Sequence, residues 1–252
     1  MGTARGFGID IGGSGIKGCP VDVEGGVLAD ERLRISTPHP STPEAVADVV
    51  AEIVGKFGWD GPVGITLPCV IKNGTALTAA NIDEDWIDTD AQGMFAKRLG
   101  RAREQIVMLN DADAAGLAEM RFGAGADRES GLVVVLTFGT GIGSSAFLDG
   151  QLLPNTEFGH IEVAGRDAEA EAAASVKDTL ELSYEEWAPR VSRYIRSLEK
   201  FLWPDLIIAG GGVSKKAHKW LPLLQTRTPI VAASLKNDAG IVGAATAAAQ
   251  RA

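Results

Sequence analysis

Cysteine is nearly absent from this chain: Cys19 and Cys69 are its only two in 252 residues. Two thiols cannot supply a zinc site built from three or four cysteine ligands, and so sparse a supply fits a reducing compartment. No apolar run approaches the ~18 residues that a membrane-spanning helix requires. No signal peptide is recognisable either, so a cytoplasmic protein with no membrane partner is expected. Positive charge is in deficit, with 24 Lys and Arg against 33 Asp and Glu and a net charge of −9. That balance argues against a general nucleic-acid or membrane-surface partner; an anionic substrate would have to be held by a local basic patch. No G-x-x-x-x-G-K-[ST] occurs, which excludes a P-loop. Linkers, charge blocks and low-complexity segments are missing too. What the chain does have is apolar residue enough, at 45%, for a substantial core. It also has 31 glycines, many of them gathered in a few turns.

The first of these turns lies in Asp10–Gly18, Asp-Ile-Gly-Gly-Ser-Gly-Ile-Lys-Gly. Gly6–Ile11 is apolar and β-compatible and runs straight into it. Glycines there permit positive φ and a close approach to a ligand, and successive exposed N–H groups make a concave anion site. Asp10, at the strand end, suits a hydrated Mg2+, and Lys17 offers a point charge to phosphate. Gly13–Gly18 also satisfies G-x-G-x-x-G, but the dinucleotide fingerprint needs a helix next. Ile16–Val23 and Val27–Ile35, split by the turn signal Glu24-Gly25-Gly26, read as strands instead. A hairpin that binds nothing stays open as the plain alternative.

Ser41-Thr42-Pro43-Glu44 marks a helix start. Val46, Val49, Val50, Ile53, Val54 and Phe57 give that helix one apolar face, with Gly55 and Gly58 at its end. Val63–Leu67 predicts a buried strand stopped by Pro68. After Asn81 in a small polar loop, Ala91–Leu99 predicts a short helix, Ile106–Leu109 a strand and Ala112–Met120 a helix. Asn110-Asp111 thus falls where a strand meets a helix, a usual address for chemistry in α/β proteins. Asn and Asp there also serve as plain N-caps.

Leu132–Leu136 and Ser144–Leu148 repeat the strand–turn–strand pattern around Thr137-Phe-Gly139-Thr140-Gly141-Ile-Gly143. Two phosphate-cradling turns in the two parts of the chain suggest two similar lobes around one cleft. Glu157 and His160 share a glycine-containing loop, which favours a polar site over a structural histidine. Asp167–Val176 predicts one Ala/Glu-rich helix containing Glu171. Tyr184–Trp203 predicts a long amphipathic helix with Trp187, Val191, Tyr194, Ile195, Leu198 and Leu202 on its core side; Pro189 offers it a later start. The strand Leu206–Ala209 ends in Gly210-Gly211-Gly212, and a helix bearing Lys215, Lys216 and Lys219 is expected next. Glycines before a helix N-terminus suit a phosphate, while the lysines equally suit a solvated face. Ile230–Ala233 and Gly240–Ala249 predict a last strand and a last helix.

Phosphoryl transfer requires chiefly that the anion be cradled, its charge neutralised by a metal, and the nucleophile held in line. A neutral sugar needs carboxylates, amides and imidazole for its hydroxyls. The residues above supply both sets, with Asp111 placed to accept the proton of an attacking hydroxyl.

In their order — Asp10-x-Gly-Gly-Ser-x-x-Lys17, Asn110-Asp111, Thr137-Phe-Gly-Thr-Gly-x-Gly143, Glu157-x-Gly-His160, Gly210-Gly-Gly212 — these motifs resemble the ROK family of repressors, uncharacterised frames and sugar kinases. The resemblance runs from Gly6 to Ala249. Thr78–Asn81, Leu136–Gly143, Pro154–Glu157, Leu182–Trp187, Pro204–Leu206, Gly210–Lys215 and Asn237–Ile241 point within it to the actinobacterial polyphosphate-dependent glucokinases. It implies an α/β, actin-like (ribonuclease H-like) ATPase fold, with a small N-terminal lobe over residues 1–109, on which 238–252 packs, and a large lobe over 110–237.

It further implies phosphoryl transfer from polyphosphate and ATP to the 6-hydroxyl of glucose, with mannose also accepted, by a Mg2+-dependent homodimer. A strictly ATP-dependent hexose or N-acetylhexosamine kinase is the alternative. A family repressor would carry an N-terminal helix-turn-helix, and only five residues precede the first strand. Carried over, Asp111 would be the base, and Asn81, Asn110, Asp111, Glu157, His160 and Glu171 would hold the sugar. Asp10 (with Mg2+ through water), Gly12, Gly13, Ser14, Lys17, Thr137, Gly139, Thr140 and Gly141 would hold the transferred phosphate. Gly210, Gly211, Gly212 and Lys215 would meet nucleotide or polyphosphate, with Lys17, Lys177, Lys215, Lys216 and Lys219 as a basic track. Many ROK kinases bind zinc through cysteines after the Gly-His; Ile161–Ser175 has none, so no zinc is expected. Cys69 stands where relatives usually carry glycine.

Overall fold

Alternating apolar residues make strands β1 (Arg5–Gly12) and β2 (Gly15–Asp22), which pair antiparallel along their whole length. The structure, a computed structural model, describes residues 4–250. Gly12 lies opposite Gly15, so Gly13-Ser14 is a two-residue turn. Neither residue has positive φ; the glycines here serve close approach rather than an unusual backbone. The run expected over 27–35 divides into β3 (Val27–Leu28) and β4 (Leu33–Ile35), both paired with β2. Ala29 N–H bonds back to the Pro20 carbonyl between them, which ends the first pairing.

Helix α1 (Pro43–Lys56) starts at Thr42, whose hydroxyl accepts from Ala45 N–H. It buries Val46, Val50, Ile53 and Val54. Strand β5 (Val63–Leu67) is buried throughout and pairs parallel with β1. A small hairpin, β6 (Ile71–Lys72) and β7 (Thr75–Ala76), follows where only a polar loop was expected. Then come α2 (Ala91–Leu99), β8 (Ile106–Asn110) and α3 (Asp111–Phe122). The sheet runs β3-β2-β1-β5-β8.

The second sheet repeats this plan. β9 (Leu132–Phe138), β10 (Ile142–Leu148) and β11 (Gln151–Leu153) form an antiparallel meander. After the two-residue strands β12 (Glu162–Val163) and β13 (Arg166–Asp167) come α4 (Glu169–Ala172), α5 (Ala174–Thr179) and α6 (Tyr184–Leu202). β14 (Leu206–Gly210), α7 (Ala217–Trp220) and β15 (Ile230–Ala232) complete the order β11-β10-β9-β14-β15. Phe138 meets Trp187, Tyr194 and Trp220 edge-on at its core, so Trp187 and Tyr194 of α6 are core residues, as their spacing indicates.

Three expectations need correction here. The single helix over 167–176 is interrupted at Ala173, which is extended. The Trp187 indole takes the Ala172 carbonyl and Ser175 N–H bonds to the Gly139 carbonyl, so both groups leave the helical ladder. Pro189 does not start α6; Ser183 does, in a reciprocal capping box with Glu186. The segment after Gly212 is a five-residue 3-10 turn followed by the four-residue α7, not a full helix.

Helix α8 (Ala239–Ala249) returns to the first sheet and packs on β1 and β5. The first compact unit accordingly runs to Ala118 and resumes at Asp238; the second spans Glu119–Asn237. The chain passes between them inside α3 rather than at 109/110. A methyl group at Gly243 of α8 would strike the Ala114 carbonyl, which ties the start of α3 to the first unit. Glu119 accepts from Ser234 and Leu235 N–H, which ties its end to the second. Among the described residues no helix is long and apolar enough to cross a membrane.

The α8 contact depends on bare backbone in the sheet. A Cβ at Gly8 would be driven into the Ile241 carbonyl, and one at Gly64 into that of Ala244. Gly64→Ala is expected to cost about 1–3 kcal/mol, the usual penalty of overpacking, read as a lower urea midpoint. Gly55→Ala, in α1 with nothing within 4 Å of the new methyl, should instead hold or raise stability. Equal behaviour of the two variants would refute the close-packing account.

Candidate active site

In the first unit, antiparallel register puts three charged side chains in one row. Asp10 of β1 is opposite Lys17 of β2, and Lys17 is opposite Arg34 of β4. The Lys17 ammonium lies 3.1 Å from Asp10 Oδ2, while Thr66 Oγ1 donates to Asp10 Oδ1 at 3.2 Å. Arg34 donates to the Ser14 carbonyl at 2.9 Å, and Thr37 donates to the Gly12 carbonyl at 2.5 Å. The turn's carbonyls are thus held by side chains, whereas the N–H groups of Gly13 and Ser14 make no bond among the described residues. That polarity leaves donors for an anion. Arg34 escaped sequence reading because its place at the turn follows only from the register of β4 on β2. Asn81 comes to the same turn: its carbonyl would lie 2.9 Å from a Cβ on Gly13, and its own φ is +62°.

Asn110 is a helix cap and nearly inaccessible. Its Oδ1 accepts from Ala112 and Asp113 N–H at 2.8 and 3.1 Å, and its amide donates to the Cys69 carbonyl. This fixes the start of α3, and with it the half-buried Asp111, whose Oδ1 accepts from Ala112 N–H at 2.8 Å. Cys69, itself buried, gives its backbone carbonyl to the Asn110 amide.

In the second unit the turn Gly139-Thr140-Gly141 follows the same logic. Its three carbonyls accept from Ser175 N–H, the Ser175 hydroxyl and Gly139 N–H. The N–H groups of Thr140 and Gly141 make no bond among the described residues. Thr137 precedes the turn on β9, paired with Gly143 and Gly210. Gly211, at φ +82°, lies against the backbone of Phe138. Lys215, Lys216 and Lys219 are exposed, but Lys177 is folded over the Tyr184 ring at 4.9 Å and paired with Asp178.

Glu157 is positioned by its neighbours. Ser144 donates to the Thr156 carbonyl and accepts from Phe158 N–H, pinning both flanks to β10. Partial burial raises the Glu157 pKa, His160 lowers it and Glu169 raises it again. His160 Nδ1 lies 2.9 Å from Asp167 Oδ2. A carboxylate only accepts, so Nδ1 carries the proton and Nε2 is the free pole of the ring. The hydrogen bond to Asp167 raises the His160 pKa, against burial and with help from Glu169. Burial pushes Asp167 up, but His160 and the Glu169 N–H outweigh it and the net shift is downward.

Glu169, which sequence reading passed over, belongs to this cluster. Its Oε2 accepts from Ile142 N–H at 2.7 Å, directly against Gly141. Glu171 turns elsewhere, to Arg166 at 2.8 Å and Arg190 at 3.8 Å. The two glutamates are separated by one alanine on α4 and so point to different sides of it, Glu169 toward the turn and Glu171 toward Arg166.

The ROK family profile matches residues 6–176. The polyphosphate glucokinase of Mycobacterium tuberculosis (strain CDC 1551 / Oshkosh) is 56% identical over 243 residues, 96% of this chain and 91% of that protein. Among solved structures, the inorganic polyphosphate/ATP-glucomannokinase of Arthrobacter sp. strain KM superposes with a TM-score of 0.93 at 47% identity, covering 99% of this chain and all of that one. The ROK family glucokinase of Streptomyces griseus, in complex with glucose and AMPPNP, gives 0.82 at 26% identity over 98% and 99% of the two chains.

The His160–Asp167 bond has a definite pH signature. A raised histidine pKa contributes stability below the unfolded value of 6.5 that is lost as pH rises through the folded one. A lowered Asp167 pKa contributes stability above 3.8 that is lost as pH falls through the folded one. Asp167→Asn should therefore bring the His160 pKa, followed by NMR titration, down toward 6.5 and flatten the loss of stability just above that pH. An unmoved His160 titration would disprove the pairing.

Proposed function

The chain belongs to the ROK family, and on that footing we propose that it is a sugar kinase moving a phosphoryl group from polyphosphate and from ATP to the 6-hydroxyl of glucose. The observation that carries this reading is the pair of glycine turns whose carbonyls are tied down and whose N–H groups are left for an anion. The 56% identity to a polyphosphate glucokinase and the match to a polyphosphate/ATP-glucomannokinase support both donors. The second of these also supports mannose as a further acceptor.

The chemistry needs little covalent work from the protein. In our reading Asp111 takes the proton of the attacking hydroxyl, held in place by the Asn110 cap beneath it. Asn81, Asn110, Glu157 and His160 bind sugar hydroxyls, and Glu169 takes the place first given to Glu171. The Asp167 carboxylate keeps His160 in one tautomer, so that Nε2 is presented to a hydroxyl. Gly12–Ser14, Lys17, Thr137 and Gly139–Gly141 cradle the transferred phosphate, with Arg34 adding charge at the first turn. Gly210–Gly212 and Lys215 meet the rest of the donor.

A divalent metal fits Asp10. Mg2+ keeps most of its water and binds through one or two carboxylates together with substrate phosphates, and Asp10 offers a single half-buried carboxylate beside the turn. Once bound, Mg2+ would neutralise phosphate charge. The same reading carries a cytoplasmic homodimer, in keeping with the family resemblance.

The deciding assay is sugar phosphate formation from glucose and Mg2+, with nucleotide-free polyphosphate and with ATP in separate reactions; product is expected from both. Activity with ATP alone would sink the polyphosphate half of the proposal. Asp111→Asn should lower turnover by roughly 10²–10⁴-fold, the worth of a general base, with glucose binding nearly unchanged. Near-normal turnover would remove Asp111 from that role. Glu169→Gln should raise the KM for glucose by about tenfold or more, as expected for a lost hydrogen bond to a charged group. An unaltered KM, alongside a raised one in Glu171→Gln, would return the role to Glu171.

A further inference from the structure

Within the second unit, the face of α6 turned toward α4 and the β12–β13 hairpin encloses a cavity of about 160 Å3. Its polar lining is Arg166, Glu171, Arg190, Arg193 and Tyr194. Apart from Glu171, which the geometry has moved away from the turn at Gly141, none of these groups has a part in the chemistry proposed above.

Three features mark this cavity, whose Arg166 and Arg193 are themselves exposed to solvent. First, charge is unbalanced: three guanidinium cations face one carboxylate, a surplus of two positive charges on a protein whose net charge is −9. Second, the arginines are under-used. Glu171 satisfies Arg166 at 2.8 Å but reaches Arg190 only at 3.8 Å, and the Arg193 guanidinium makes no hydrogen bond or ion pair among the described residues. Arg190 and Arg193 stand one turn apart on α6, where like charges repel. Third, Tyr194, one turn beyond Arg190, lines the cavity and is 1% exposed, and its hydroxyl has no hydrogen-bond partner among the described residues. An orphaned buried hydroxyl is costly.

An acceptor with two negative charges answers the first two features together. Arginine forks pair with phosphate oxygens in bidentate fashion, and a phosphate monoester carries about −1.5 to −2 near neutral pH. We infer that the cavity lined by Arg166, Arg190, Arg193 and Tyr194 is a second phosphate-binding site, separate from both glycine turns. Glu171 stays with Arg166 and sets the size of the opening, while Arg190 and Arg193 hold the anion. Three sources share this chemistry: free phosphate, a sugar phosphate, and a segment of a polyphosphate chain.

The test compares wild type with Arg190→Gln/Arg193→Gln and, separately, with Tyr194→Phe, which keeps the core ring. Inorganic phosphate, a hexose 6-phosphate and polyphosphate are each titrated calorimetrically. An ATP analogue titrated in parallel reports on the glycine turns. Wild type should show a class of phosphate sites that the double variant loses or binds at least about tenfold more weakly, as expected for missing charge-assisted hydrogen bonds. ATP-analogue affinity should not change. Tyr194→Phe, which alters the cavity wall without removing charge, should leave the class in place. The probe that fills the class at the lowest concentration identifies the source. Soaking a crystal with tungstate should give an anomalous peak between Arg190 and Arg193. Identical titrations in wild type and double variant for all three probes, or a cavity that holds only water in the soaked crystal, would overturn the assignment.

Discussion

A helix comes right down onto a sheet only where the sheet carries no Cβ atoms, and the first unit is built on that condition. The carbonyls of Ile241 and Ala244 in α8 occupy the space that side chains at Gly8 and Gly64 would fill. On the other side of the helix, Gly243 admits the backbone of α3 at Ala114. α8 is therefore locked between the sheet and α3, and its first turn reaches the functional residues. A Cβ on Gly240 would sit 3.0 Å from the Asp10 carboxyl, so the helix bounds the room in which Asp10 moves. The start of α3 that carries Asp111 is held by the same contact. Packing of bare backbone sets where β1 and α3 stand, and the Lys17 ion pair, the Thr66 hydroxyl and the Asn110 cap then hold Asp10 and the start of α3 in place.

The second unit solves its positioning problem with hydrogen bonds. Ser144 holds the flanks of Glu157, Ser175 holds the carbonyls of the glycine turn, and Asp167 holds His160. In many ROK kinases a cysteine cluster follows the Gly-His and binds zinc. In this chain the corresponding loop is a short β12–β13 hairpin with Ala164 and Gly165 both at positive φ, and the imidazole is fixed by a carboxylate. Ring orientation here depends on the protonation of two side chains.

Much of this was legible in the residues. Val63–Leu67 and Ala91–Leu99 have the bounds their patterns indicate, since a buried apolar run between Pro62 and Pro68, and an Asp-capped helix ending in Gly, leave little choice. The repeated strand–turn–strand units were visible as well. What could not be seen depended on pairing between distant segments. Arg34 reaches the first turn only through the register of β4 on β2. Glu169 and Glu171 are the same residue type two positions apart on α4, so they point to different sides of it, and which side meets the turn follows only from where α4 is seated. The two-residue strands of β6–β7 and β12–β13 are too short to show any periodicity.

The first unit is discontinuous: residues 239–249 supply the helix that closes it. During synthesis, which proceeds N-terminal first, the opening sheet leaves the ribosome with the backbone of Gly8 and Gly64 uncovered and waits while all of Glu119–Asn237 is made. The second unit has every strand of its sheet in hand before then. The half of the molecule translated first is thus the last to be completed, and a nascent chain halted before α8 would hold a finished second unit beside an open-faced first one.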